Sequence, residues 1–253
     1  MKKYFLNIFS TVLLFNSLIF PQQFSPGSPE WLVDMFFSKN SFLDKANYLS
    51  GEMLNESDKP TIGEELNGKG EIKFHQIRAT NSTCVFAVEV ETDKKIIDFY
   101  SYLVNDGNNW KITAIRRFLL PAFIYTVRDS LLNLNELSAS DSVFLLSLKL
   151  FTASDQELKD YLQVNLEKFE ELNSLFIKNE KDKANIALAS VGCNAIYNDK
   201  KYPGCAFIQI LNFENMEAGF IRAADSVLLP VISAEEFIYI EEVVAGWFVY
   251  RIM

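Results

Sequence analysis

The sequence is poor in the residues that most often build reactive centres. It has one histidine, His75, among 253 residues. That excludes zinc sites made of several imidazoles, and no metal ligand set is assigned. A Ser-His-Asp triad would have to use His75, and nothing near it in sequence marks a nucleophile. No H-E-x-x-H, G-x-S-x-G, Walker loop or C-x-x-C pair occurs. Gly68-Lys69-Gly70 is too short to cradle a phosphate and precedes a strand, so no cofactor is implied. Basic residues are outnumbered, 24 against 33 acidic, for a net charge of −9. A duplex-binding protein needs a basic stripe, and none is visible along the chain. Nucleic acid and an anionic membrane surface are therefore not expected partners.

What is present is a core. The chain is 49% hydrophobic and 23% charged, which excludes disorder, collagen and a multi-pass membrane protein. The start has the layout of a secretory signal: Lys2 and Lys3, an uncharged run from Tyr4 to Phe20, then Pro21. Export to the periplasm or the extracellular space is expected, with cleavage near residue 25 and no stable membrane insertion afterwards. The alternative is an uncleaved N-terminal anchor. No cysteine lies near the segment, so a lipid-anchored cysteine is excluded.

Patterning predicts an α+β protein in which helices and then strands occur twice. The divisions are a signal segment (1–25), an α+β unit (26–121), a helical segment (122–182) and an antiparallel β unit (183–253). Ser28-Pro29-Glu30 opens a helix. A second short helix is expected over 41–49, and 55–70 reads as loop because of Pro60, Gly63, Gly68 and Gly70. Strands are expected at 71–79, 83–91, 95–104 and 109–117. Helices follow at 123–133 and 142–151. A longer one opens on the capping box Ser154-Asp155-Gln156-Glu157 and carries Leu158, Leu162, Phe169, Leu172 and Phe176 on one face. The end returns to strands at 184–193, 205–213, 217–223, 236–243 and 245–252, forming a β-meander. In the last, Trp247, Val249 and Arg251 alternate with Phe248, Tyr250 and Ile252.

Export permits disulfides. A symmetric hairpin centred on Asp199 would place Cys193 opposite Cys205, so a bridge between them is expected, with Cys84 a buried thiol. The strongest chemical constellation is Asp98, Tyr100 and Tyr102, which share one strand face. A buried carboxylate beside two phenols could remove a proton next to a carbonyl. Phe86 and Trp110 are candidate walls of a ligand pocket.

The helix from Ser28 and the hairpin DFYSYLVNDGNNWKITAIRRF (98–118) resemble the nuclear transport factor 2-like superfamily, over roughly residues 28–120. The resemblance implies N-terminal helices on a curved, cone-like, cystatin-like antiparallel sheet. That superfamily spans isomerases, epoxide hydrolases, scaffold subunits and binding modules, so it selects no single function. The stretch FIYIEEVVAGWFVYRIM (237–253) resembles the ends of uncharacterised exported bacterial proteins, which brings no activity. The expected function is that of an exported non-enzymatic protein binding a small apolar ligand or an envelope protein. The alternatives are a small isomerase or hydrolase using Asp98 with Tyr100 or Tyr102, and a structural subunit that forms a homo-oligomer.

Overall fold

A computed structural model describes residues 24–93, 95–224 and 228–253; the signal-like run to Phe20 lies outside them. Helix α1 (Pro29–Phe37) starts where Ser28 accepts a hydrogen bond from the Trp31 amide, with Pro29 in the first turn. It buries Leu32, Val33, Phe36 and Phe37. These side chains pack on a sheet of four hairpin-linked strands, β1 (Glu71–Ala79), β2 (Thr83–Thr92), β3 (Lys95–Asn105) and β4 (Trp110–Arg117), antiparallel and in sequence order. Two 3-10 turns, Lys45–Tyr48 and Gly51–Glu56, replace the expected second helix.

The stretch read as loop contains a short helix, α2 (Ile62–Leu66). Thr61 and Glu64 form a reciprocal capping box, and Glu64 also accepts from the Phe42 amide at 3.2 Å. Gly63 is required there, because a Cβ would lie 2.5 Å from the Lys39 carbonyl oxygen. The glycine that argued for a loop is a close-packing position.

Five helices follow: α3 (Ala122–Leu132), α4 (Ala139–Phe151), α5 (Asp155–Val164), α6 (Leu166–Ile177) and α7 (Lys181–Ser190). The long helix expected from Ser154 is interrupted at Asn165, whose side chain bonds back to the Tyr161 carbonyl. Most of the expected strand at 184–193 is helix α7. Its alternating alanines fit both periods, and burial of Ala184 and Leu188 on one helical face decides for the helix.

The second sheet holds β5 (Ala195–Asn198), β6 (Cys205–Phe213), β7 (Met216–Ala223), β8 (Phe237–Val244) and β9 (Trp247–Ile252) in the order β5-β6-β7-β9-β8. It is antiparallel but not a meander. The long connection after β7 carries β8 to the edge, and the tight β8–β9 hairpin returns β9 beside β7.

Two further expectations are corrected. The first sheet is flat, not a cone, so the nuclear transport factor 2-like resemblance does not hold. Strong curvature needs bulges or glycine kinks. Strands β1 to β4 contain no glycine and show register shifts only between Gln76 and Arg78 and between Tyr102 and Leu103. Both faces are filled: Phe86, Val88, Leu103 and Ile112 pack under α1, while Val85, Ala87, Tyr100 and Tyr102 join the second core. The Cys193–Cys205 disulfide is also absent, and Cys84, Cys193 and Cys205 are buried free thiols. The pairs Ala195↔Gln209 and Asn198↔Ala206 are symmetric about Tyr202, not Asp199, and Cys193 precedes the paired strand. The two thiols therefore never face each other.

The second core is continuous across the two sheets. Tyr100 stacks on Tyr239 with ring centroids 5.1 Å apart, and the Tyr102 hydroxyl donates to the Ile238 carbonyl at 2.7 Å. On the opposite face of β3, between Phe86 and Ile115, Ser101 Oγ is sealed and has no hydrogen-bond partner among the described residues. Ser101→Ala is expected to match or exceed the parent in urea unfolding, by up to about 1 kcal/mol. A loss of about 2 kcal/mol would mean that this hydroxyl makes a bond the structure lacks.

Candidate functional site

Strand alternation sends Asp98, Tyr100 and Tyr102 to the β3 face turned away from α1. There they meet the start of α5 and the end of β9. Ser154 caps α5, which makes Asp155 its first residue and brings its carboxylate to the positive end of the helix. The Tyr100 hydroxyl donates to Asp155 Oδ2 at 2.7 Å, and Arg251 Nε donates to Asp155 Oδ1 at 2.7 Å. The Asp155 amide donates to Asp98 Oδ2 at 2.9 Å. Arg251 Nη2 donates to the Ala153 carbonyl at 2.7 Å, and its guanidinium lies 4.5 Å from the centroid of the Phe118 ring. Arg251 is 2% exposed and Asp155 6%, so this is a buried ion pair whose oxygens are shared with a phenol.

A second cluster adjoins it. Tyr239, stacked on Tyr100, donates to Glu241 Oε2 at 2.6 Å. Glu241 Oε1 lies 3.0 Å from His75 Nε2, and Lys159 Nζ is 3.3 Å from the same carboxylate. Burial alone would raise the Glu241 pKa. The hydrogen bonds from His75 and Tyr239, with the charges of His75 and Lys159, overcome it and hold the group at about 2. His75 is thus an exposed partner of an ionised glutamate on the polar side of β1.

Asp98 shifts the other way. Burial, then the Asp155 carboxylate, push its pKa up to about 7, and Arg251 and the Asp155 amide offset them only in part. Burial also drives the Tyr100 hydroxyl well above its usual range.

Asp98 borders two clefts. One, of about 560 Å³, includes Arg117, Phe118, Phe151 and Arg251 in its lining. The other, of about 290 Å³, is bordered by His75, Lys159, Asp155 and Tyr239. A larger cleft of about 930 Å³ lies between the end of α6 and the turn before β6, and none of its charged lining is buried. Among the described residues, no group of three or more His, Cys, Asp or Glu is placed to hold a metal ion.

The structure therefore divides the sequence candidates. Asp98, Tyr100 and Tyr102 share a face, but of the three only Asp98 lines the two clefts. Both phenols donate inward, to Asp155 and to the Ile238 carbonyl. Phe86 and Trp110 pack on the opposite face under α1, with the sheet between them and Asp98. Sequence reasoning missed Asp155, Arg251 and Glu241. Arg251 had a signal: it falls in register with Trp247 and Val249, both buried, where a charge needs a partner.

The raised Asp98 pKa has a consequence for stability. Between its unfolded value near 3.8 and its folded value near 7, the native state holds a proton that the unfolded state releases. This contribution falls as pH rises from about 4 to 7 and stays lost above. Asp98→Asn keeps an acceptor for the Asp155 amide and removes the charge. It is expected to be more stable than the parent at pH 8, by on the order of 1–3 kcal/mol, with the difference vanishing near pH 4. Thermal unfolding of both proteins across pH measures this, and parallel profiles would contradict it.

Comparison with protein-family models, with curated proteins and with solved structures gives no match, for the C-terminal stretch as for the rest, so function is read from these side chains alone.

Proposed function

We propose that this chain is an exported, non-enzymatic protein that binds a small ligand in the cleft bordered by β3, the β4–α3 connection and the α4–α5 turn. The supporting observation is the make-up of that cleft. Buried Arg251 and half-buried Asp98 supply polar groups, and Phe118 and Phe151 supply apolar walls. Its volume of about 560 Å³ falls within the roughly 300–1,000 Å³ typical of small-molecule sites. Export is supported by Lys2, Lys3 and the uncharged run to Phe20.

Binding is favoured over catalysis because the proposed hydrogen-bond donors are committed elsewhere. Tyr100 and Tyr102 would have to leave Asp155 and Ile238 to reach a substrate. One observation favours a second reading: a carboxyl held near neutrality at a cleft wall suits proton transfer. An isomerase or hydrolase built on Asp98 would need Arg251, not either phenol, as its electrophile.

Native mass spectrometry of the protein purified from its own cells tests the proposal. The expected result is a monomer shortened near residue 25 that carries a small molecule released by organic solvent. A bare monomer would contradict ligand binding, and a bare multiple of the chain mass would favour the structural subunit. An unshortened chain would contradict cleavage and favour the anchor.

A further inference from the structure

The chain carries a net charge of −9, yet one cleft reverses that sign. Lys95, Arg117, Arg128 and Arg251 line the 560 Å³ cleft, and Asp98 is the single carboxylate in its lining. These cations come from β3, β4, α3 and β9, so the fold gathers them from distant positions. Arg251 is the deepest, at 2% exposed. Its Nε and Nη2 are committed to Asp155 and Ala153. Its Nη1 makes no hydrogen bond among the described residues. Arg251 lines the cleft, and Nη1 is its one guanidinium nitrogen without a protein partner there. Arg117 lies over the Phe99 ring at 5.9 Å and has no carboxylate within 4.0 Å among the described residues. Arg128 is held by Asp129 and by a hydrogen bond to Thr152. Apart from Tyr125, Thr152 and Ser154, the rest of the lining is apolar and reaches the rim, where Ile96 is 43% and Leu119 58% exposed.

We infer that this cleft takes an organic monoanion, its carboxylate-like head on Arg251 Nη1 and its apolar body along Phe118 and Leu119, with Arg117, held over Phe99 at the cleft edge, adding positive charge. The inference rests on the reading of the cleft as a ligand site and adds the charge class of the ligand. Arg251 is already largely buried, so an anion at Nη1 gains a charge-assisted hydrogen bond with little further desolvation of the guanidinium. A cationic ligand would face Lys95 and Arg117, which have no carboxylate partner among the described residues, and one oxygen of Asp98, the carboxylate in the lining, is already engaged by the Asp155 amide. A neutral apolar ligand would leave Nη1 facing it without an acceptor.

Isothermal titration of the purified chain at pH 7.5 with matched probes provides the test. The probes are 3-phenylpropionate, 3-phenylpropanol and 3-phenylpropylamine, which share a body and differ in the head group. The carboxylate is expected to bind at least about tenfold more tightly than the alcohol or the amine. Arg117→Gln, an unburied change, is expected to weaken the carboxylate several-fold and leave the alcohol unchanged. Arg251→Lys, which keeps a cation for Asp155, is expected to cost more for the carboxylate than for the alcohol. Equal binding of alcohol and carboxylate would overturn the anion assignment and leave the ligand cleft standing. Preference for the amine would overturn it by reversing the sign, and an unaffected Arg117→Gln would overturn the role given to Arg117. Binding of none of the three would overturn both the assignment and the cleft as a ligand site.

Discussion

The ion pair between Arg251 and Asp155 is the constraint on which the arrangement of the molecule depends. Burying a guanidinium and a carboxylate is costly unless each meets the other. Here that requirement ties β9 to the first turn of α5, and Tyr100 adds β3 from the first sheet. Tyr239 then stacks on Tyr100 and brings in β8. Three elements from both halves of the chain thus meet at one carboxylate, with β8 packed beside them. The apolar core would tolerate many registers, but the pair tolerates very few.

The same geometry explains why Asp98 differs from other acids in the chain. Asp155 has Arg251, a phenol and a helix terminus on its side. Asp98 keeps one amide donor and sits beside a second carboxylate under burial, so its proton is retained toward neutrality. Glu241, a short distance along the same interface, has Lys159, His75 and Tyr239 and stays ionised. The partners, not the residue type, separate the two. The catalytic hypothesis placed Tyr100 and Tyr102 beside a substrate, whereas the Tyr100 hydroxyl fastens β3 to α5 and the Tyr102 hydroxyl fastens it to β8.

Much of the fold was legible because local rules governed it. The Ser28 and Ser154 caps and the alternation of β2 and β4 required no tertiary information. Expectations failed where a local pattern served two outcomes. The alanines of α7 fit strand and helix alike, and Gly63 marked close packing instead of a loop. The disulfide failed because register depends on where the turn closes, three residues beyond the symmetric guess. Sheet curvature failed because it depends on bulges and glycines, which a hairpin motif does not specify. Within the site, Asp98 could be named from strand parity, but its partners could not: Asp155 reads as an ordinary first-turn acid. The cationic cleft is invisible along the chain because Lys95, Arg117, Arg128 and Arg251 are never neighbours in sequence.

The most direct measurement is a double-mutant cycle on Asp155→Asn and Arg251→Met by equilibrium denaturation. A buried pair that organises the fold predicts a large loss for Arg251→Met alone, about 3–5 kcal/mol, because it strands a buried carboxylate. It also predicts a double variant that recovers part of that loss, with a coupling of about 2 kcal/mol or more. Additive single effects, or an Arg251→Met protein as stable as the parent, would show that the ion pair does not organise the fold.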